Sequence, residues 1–361
     1  MEEENQLTAL ASGTVLNNRF TITDVIGSGG LSIIYRARDR YTGQYVALKE
    51  CAPYGMVLRK DDGSLRLLEA EYQEAMESAL DGMNKEIEVV RTMTDRGVSG
   101  VPQYVDSFSA NYTVYLAMTE VVGRDLHYWA SSYRQAGQHF PEKMVISILM
   151  GTLGILEQMH QLEYYHCDVK PSNIIIDDSG RIFLIDFGAV RTEEDQHFSV
   201  QVSPGYTPVE MYPSHRAHIG PWSDVYMLAT LFYNILTGRV PEPANERAQK
   251  DRTPRLSTDP SLAGIYSPAL LNSLDKAMAV EPSQRYTTAE IWMEDFTTRS
   301  RGPQLISGGA RRAPVSRPVT SSAPLRKTKK GSPAEEKKAG WVRYAILAAG
   351  VIACLVYVYV L

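Results

Sequence analysis

The chain has 361 residues, 44% hydrophobic and 22% charged, enough for roughly two structural lobes or domains around a sizeable core. Its three cysteines, Cys51, Cys167 and Cys354, lie far apart without a CxxC pair, which argues against a disulfide framework or a structural zinc site and fits a reducing cytosol. The net charge of −5 hides an asymmetry: residues 1–300 carry 26 Lys/Arg against 40 Asp/Glu, and residues 301–361 carry 11 against 2, so nucleic acid is a poor partner for a body that is itself acidic.

Taken in chain order, "MEEENQLTAL" lacks both the basic and the apolar region of a signal peptide. Residues 19–50, "RFTITDVIGSGGLSIIYRARDRYTGQYVALKE", read as three antiparallel strands broken by Gly-rich and "YTGQ" turns, hence a hairpin-rich small lobe. In the first turn Gly27, Gly29 and Gly30 let the backbone approach a ligand such as a triphosphate, although such a turn is more often a plain hairpin. Lys49, which ends "VALK" on a following strand, adds an ammonium within reach of α- and β-phosphates. "GMNKEIEVVRTM", 82–93, has helical apolar spacing. In "YYHCDVKPSNIII", 164–176, Asp168, Lys170 and Asn173 stand between a helix-like run and a β-branched run.

The tail divides in two. Residues 301–340 hold five prolines, clustered bases such as "RKTKK" and almost no large apolar residues, the composition of a linker that cannot bury enough surface to fold. The segment "YAILAAGVIACLVYVYVL", 344–361, is uncharged and mostly apolar; as a helix of about 27 Å it just matches a bilayer core. Trp341 and Arg343 suit its interface, and a buried core helix is the alternative. With the bases massed on its N-terminal side, the expectation is a single-pass cell-membrane protein with its folded body in the cytoplasm.

Seven motifs in one order resemble those of the bacterial eukaryotic-like (Hanks-type) serine/threonine protein kinases. "GSGGLSIIY" is similar to the Gly-rich loop, "VALK" to the strand-three Lys motif, "HCDVKPSN" to the HRDLKPxN catalytic loop, and "DFG" at 186–188 is unaltered. "SPGYTPVE" at 203–210 resembles the segment ending in Ala-Pro-Glu, "WSDVYMLA" at 222–229 the large-lobe helix carrying an Asp, and "EPSQRY" at 281–286 the late Arg motif. The resemblance implies an α+β bilobal kinase fold over 14–298, with a β-rich N-lobe to about 121 and a helical C-lobe from 122. A juxtamembrane linker over 299–340 and a transmembrane helix over 341–361 would follow. It also implies ATP with Mg²⁺ or Mn²⁺ as cofactors and Ser/Thr-bearing proteins as substrates, and it leaves dimerisation open.

Phosphoryl transfer needs positioning, metal ions and fixed positive charge more than covalent help. Asp168 would orient the substrate hydroxyl and accept its proton, and Lys170, on the same side of an extended loop, would lie against the transferred group. Asn173 and Asp186 offer the hard oxygens that Mg²⁺ prefers. The resemblance implies further ATP contacts from Ile26, Gly27, Ser28, Gly29, Gly30, Ile34, Ala47, Lys49 and Glu86, and from the hinge "TVYLAMTEVVGRDL". There Met118 flanks the adenine and the backbone of Thr119 and Val121 bonds its edge; a one-residue slip would put Thr119 in the flanking place. The resemblance also implies structural roles for Glu210, Asp224 and Arg285, with Glu210 and Arg285 expected to form a buried ion pair.

Three departures stand out. Glu86 lies about twice the family's usual interval from Lys49, with Glu69, Glu71 and Glu74 on the way. The extra stretch "CAPYGMVLRKDDGSLRLLEAEYQEAM" resembles an insertion in one bacterial subgroup, or reads as a solvated loop with a helix extension. Ser32 replaces the third Gly of the loop. Cys167 replaces the Arg that in the family binds a phosphate on the activation segment, whose hydroxyls here are Thr192, Ser199, Ser203, Tyr206 and Thr207. Cys167 itself reads as a small buried hydrophobe rather than a reactive thiol. A pseudokinase scaffold and a small-molecule phosphotransferase are the competing readings; Lys170, Glu210 and Arg285 argue against the latter.

Overall fold

Alternating apolar and polar residues build the small lobe. A computed structural model describes residues 9–195, 203–213 and 218–300. In it β1 (Val15–Leu16), β2 (Phe20–Ser28), β3 (Ser32–Asp39) and β4 (Tyr45–Cys51) run as successive antiparallel strands. A separate hairpin follows, β5 (Val57–Arg59) with β6 (Leu65–Leu67), then a 3₁₀ turn at Ala70–Tyr72 and the long helix α1 (Gln73–Asp95). Two more strands, β7 (Tyr104–Ala110) and β8 (Thr113–Thr119), complete a six-stranded sheet of order β1-β2-β3-β4-β8-β7. Because side chains alternate across a strand, the sheet has two different faces. Val46, Leu48, Tyr35, Tyr115 and Ala117 pack on one face with Leu10, Val57 and Leu65; Cys51, Leu116 and Met118 pack on the other with Met83, Ile87 and Val90 of α1.

The large lobe is helical. It comprises β9 (Arg124–Asp125), α2 (Leu126–Gln135), α3 (Glu142–His160), β10 (Ile174–Ile176), β11 (Ile182–Leu184), α4 (Pro221–Thr237), α5 (Ala244–Arg247), α6 (Pro268–Ala277) and α7 (Ala289–Ser300). β9, β10 and β11 form a small antiparallel sheet beneath the hinge. Helix α4 is buried without a break from Ser223 to Tyr233, so it is the spine of this lobe rather than an amphipathic surface helix. Pro221 starts it and Gly238, at φ 72°, ends it, each where its backbone preference fits. Gly123 is required by close packing, since a Cβ there would lie 2.4 Å from the Ile176 carbonyl oxygen.

The fold departs from the sequence expectations at several points. The stretch after Lys49 is not a solvated loop: Val57 and Leu65 are buried in the small-lobe core. Leu10, upstream of the expected start at 14, is buried in the same core. Helix α7 runs through Ser300, into the segment expected as linker from 299. Ser199, residues 301–340 and the span expected over 341–361 lie outside the described residues; among the described residues no helix is long and apolar enough to cross a membrane.

Candidate active site

The cleft between the lobes gathers residues from both. Lys49 on β4 is 7% exposed and Glu86 on α1 is 4% exposed. The Lys49 Nζ donates to Glu86 Oε1 at 2.7 Å and Oε2 at 2.8 Å, and to Asp186 Oδ1 at 2.9 Å. Burial alone would lower the Lys49 pKa, but Glu86 and Asp186 outweigh it and hold the ammonium above its usual range. Burial likewise pushes the Asp186 carboxyl up, and Lys49 outweighs it, leaving the group below the usual carboxylate range. The Asp186 side chain remains 43% exposed, so it is paired on one oxygen while opening to the cleft. Glu69, Glu71 and Glu74, the other acids on the way from Lys49, are all exposed.

Asp168, Lys170 and Asn173 meet across a few ångströms. The Lys170 Nζ donates to Asp168 Oδ2 at 2.6 Å. Asn173 Nδ2 donates to the Asp168 carbonyl at 2.9 Å and to Asp168 Oδ2 at 3.1 Å. Asn173 ends a 3₁₀ turn, Pro171–Asn173, that leads into β10, and its carbonyl accepts the Ile185 N–H at 2.9 Å, linking the loop to the strand before Asp186.

Asp224, fully buried on α4, fixes this loop from below. Its two carboxylate oxygens accept the N–H groups of His166 and Cys167, each at 2.8 Å, and Oδ2 also meets His160 Nε2 at 2.8 Å. Burial raises the Asp224 pKa, but His160 and the other partners bring it below the ordinary value. The paired N–H groups hold Cys167 at φ 61°, a left-handed conformation uncommon outside Gly, Asn and Asp, and so set the direction of Asp168. Asp186 is also left-handed, at φ 67°, and the next residue, Phe187, is buried with its ring edge-on to His166 at 5.5 Å. The Cys167 side chain is buried, and burial pushes its thiol well above the usual range, so it carries neither positive charge nor thiolate. Nearby, Arg191 Nη1 donates to the carbonyls of Ala189 and Val190 at 3.1 and 2.9 Å.

Above the cleft, the β2–β3 turn carries Ser28, Gly29 and Gly30. A Cβ added at Gly29 or Gly30 would meet no protein atom within 4 Å, so packing within the chain does not dictate these glycines. Strand register puts Ile34 opposite Lys49, and Ala47 opposite both Arg36 and Met118; Ile34, Ala47 and Met118 therefore share the Lys49 face of the sheet. Ile26 is 49% exposed beside a register shift in β2. At the hinge, the Thr119 N–H is committed to the Gln103 carbonyl at 2.9 Å, so an adenine contact from Thr119 would have to use its carbonyl. Val121 is half-buried just beyond it.

At the far end of the activation segment, Arg285 Nη1 and Nη2 reach Glu210 Oε1 and Oε2 at 2.6 and 3.0 Å, with both side chains 0% exposed. Sequence reasoning missed His160, a third ligand of the Asp224 carboxylate. It also missed the role of Glu50, beside Lys49 but facing the opposite side of the sheet. Glu50 continues the apolar positions Val46 and Leu48 at a period of two, and an acid on such a stripe signals a buried, partnered charge.

The protein kinase domain family matches residues 20–297. Among curated relatives, the probable serine/threonine-protein kinase PknB of Bifidobacterium longum is 26% identical over 302 residues, covering 82% of this chain and 41% of that protein. Serine/threonine-protein kinase PrkC of Bacillus subtilis is 28% identical over 298 residues, covering 79% of this chain and 41% of that protein. The chain thus spans less than half the length of these relatives. A solved structure titled "PpkA-294 apo form" superposes with a TM-score of 0.71 at 26% identity, covering 80% of this chain and 99% of the other. With the family matched over most of its length and the same two-lobed fold, this chain belongs to the protein kinase domain family.

Proposed function

We propose that the chain is a serine/threonine protein kinase that uses Mg²⁺ and ATP, works without a phosphate clamp at Cys167, and is tethered to the cytoplasmic side of a membrane by its C-terminal segment. The observation that carries the catalytic reading is the Lys49 ammonium held between Glu86 and Asp186, which presents fixed positive charge to phosphates under a turn whose glycines leave room for them. Asp168 accepts the proton of the attacking hydroxyl, and Lys170, hydrogen-bonded to it, stands against the transferred group. Among the described residues no three His, Cys, Asp or Glu gather as a metal cluster. Asp186 and Asn173 instead fit a Mg²⁺ whose shell is completed by phosphate oxygens and water. Such an ion, when bound, would neutralise charge developing on the phosphates. Lys170 within "DVKPSN" favours Ser/Thr over Tyr.

The full chain incubated with MgCl₂, ATP and a generic basic protein is expected to form phosphoserine and phosphothreonine, with transfer abolished by EDTA. A folded protein that transfers nothing, or that forms only phosphotyrosine, overturns the reading. Pretreatment with phosphatase, and alanine at Thr192 and Ser199, are expected to leave turnover within about two-fold, since Cys167 supplies no cation to hold a phosphate. A large loss after phosphatase treatment would transfer that role to Arg191. Deleting 341–361 is expected to move the protein from the membrane to the soluble fraction while keeping its activity; persistence in membranes would require another anchor.

A further inference from the structure

The stretch between Lys49 and α1 meets the Gly-rich turn at its start and Glu50, next to Lys49, further on. At its start, the Ala52 and Tyr54 N–H groups donate to the carbonyls of Leu31 and Gly30 at 3.0 and 2.9 Å, extending the β3–β4 ladder to the tip of the Gly-rich turn. Its hairpin then crosses to the other face of the sheet. There Arg59, 6% exposed, donates from Nη2 to Glu50 Oε2 at 2.5 Å and from Nη1 to the Gly63 carbonyl of its own turn at 2.8 Å. Glu50 is fully buried and also accepts the hydroxyls of Tyr35, at 2.7 Å, and Tyr115. Tyr35 in turn accepts the Leu10 N–H at 3.0 Å. Among these groups Arg59 is the cation that neutralises a buried carboxylate directly adjacent in sequence to Lys49.

The hairpin also reaches α1. Val57 and Leu65 share a core with Met76 in the first turns of that helix, whereas Met83, Ile87 and Val90, around Glu86, pack into the core on the cleft side. Leu80 touches both. The start of α1, at Met76, thus shares a core with the hairpin, and Glu86 further along the helix is the partner of Lys49.

We infer that the 52–72 insertion is a built-in clamp and that Arg59 is a positioning residue for phosphoryl transfer: through Glu50 it fixes the hairpin that holds the Gly-rich turn, the Lys49 strand and α1 in their nucleotide-binding arrangement. This rests on the reading of the Lys49 site as an ATP site. It would also supply a physical reason for the independence from an activation-segment phosphate proposed above on the ground of the neutral Cys167. The Lys49–Glu86 pair has to be in place for transfer, and here a tether from the N-terminal side of α1 keeps it there.

The test uses the full chain. If loss of the clamp leaves about a tenth of molecules in the competent arrangement, apparent nucleotide affinity falls about tenfold. Arg59→Met is therefore expected to raise KM for ATP about tenfold with KM for the protein substrate unchanged. Arg59→Lys, which keeps the charge but not both hydrogen bonds, should fall between it and wild type. A merely destabilised enzyme loses active fraction, lowering kcat and leaving both KM values alone. Should Arg59→Met fail to fold, Arg59→Lys decides by the same measurement, and wild-type kinetics in that variant overturn the inference. Hydrogen exchange on nucleotide-free protein reads the clamp without turnover: amides 76–87 and those of Ala52 and Tyr54 are expected to exchange faster together in the variants. Unchanged exchange there overturns the clamp, whereas a wild type that folds but neither binds nor uses ATP overturns the reading of the site instead.

Discussion

Asp168→Asn is expected to lower turnover by about 10²–10⁴-fold, the usual contribution of a positioned general base, and Asp186→Asn by a comparable factor through loss of a charged metal ligand. Both substitutions are nearly isosteric, and the contacts around them allow the fold to survive. Asn at 168 still offers an amide oxygen to Lys170 and Asn173, which now bond Asp168 Oδ2 at 2.6 and 3.1 Å. Asn at 186 leaves the Lys49–Glu86 pair standing. The loss should therefore appear in kcat, with thermal unfolding close to wild type. The two variants also differ in a useful way: Asp186→Asn should weaken Mg²⁺-dependent nucleotide binding, and Asp168→Asn should spare it, since the role proposed for Asp168 is toward the hydroxyl. Transfer by both variants within a factor of two of wild type would sink the assignment and favour a scaffold that binds nucleotide without using it.

The parts of this site that were legible in the sequence are those whose chemistry is local. Asp168, Lys170 and Asn173 lie within one short loop, and the structure joins them by hydrogen bonds spanning two to five positions. Glu86 was ambiguous because three other acids precede it. The signal that separates it is periodicity, since it falls on the stripe of Met83, Ile87 and Val90 that α1 buries, where an acid must find a cation. The same signal was available for Glu50 at the end of the Val46, Leu48 stripe, but its partner Arg59 sits on a three-residue strand, too short for a pattern to announce it. The backbone of Cys167 was not legible at all. Its left-handed conformation is imposed by Asp224, whose contacts to the loop span 57 and 58 positions. A tertiary hydrogen bond can impose such a conformation, but no local propensity predicts it.

Arg285→Ala is expected to cost about 3–5 kcal/mol of stability, the usual result of removing one partner from a buried ion pair. The surroundings place this case at the upper end of that range. Beyond its two bonds to Glu210, the guanidinium donates from Nε to the Ala279 carbonyl at 2.7 Å, from Nη2 to Val280 at 2.6 Å and from Nη1 to Trp222 at 3.2 Å. It also lies over the Tyr226 ring at 4.6 Å. Alanine would leave three carbonyls without this donor and a buried carboxylate whose described remaining donor is the Ser223 hydroxyl, at 2.7 Å, so several buried polar groups lose a partner at once. Arg285→Lys keeps the charge but has no planar fork to serve Glu210 and the carbonyls together, so it should lie between alanine and wild type. Because the pair ties the 203–211 segment to α4 and the turn before α7, the first consequence of weakening it should be local. KM for the protein substrate is expected to rise in Arg285→Lys at temperatures where the rest of the domain remains folded. For alanine, thermal unfolding of the full chain should begin on the order of 10 °C below wild type. Adding Glu210→Gln to Arg285→Ala should recover part of the loss by removing the stranded charge. An Arg285→Ala protein that unfolds within about 1 kcal/mol of wild type, with no recovery in the double variant, would mean that the pair contributes little and that the segment is held by the apolar packing of Val209 and Met211 instead.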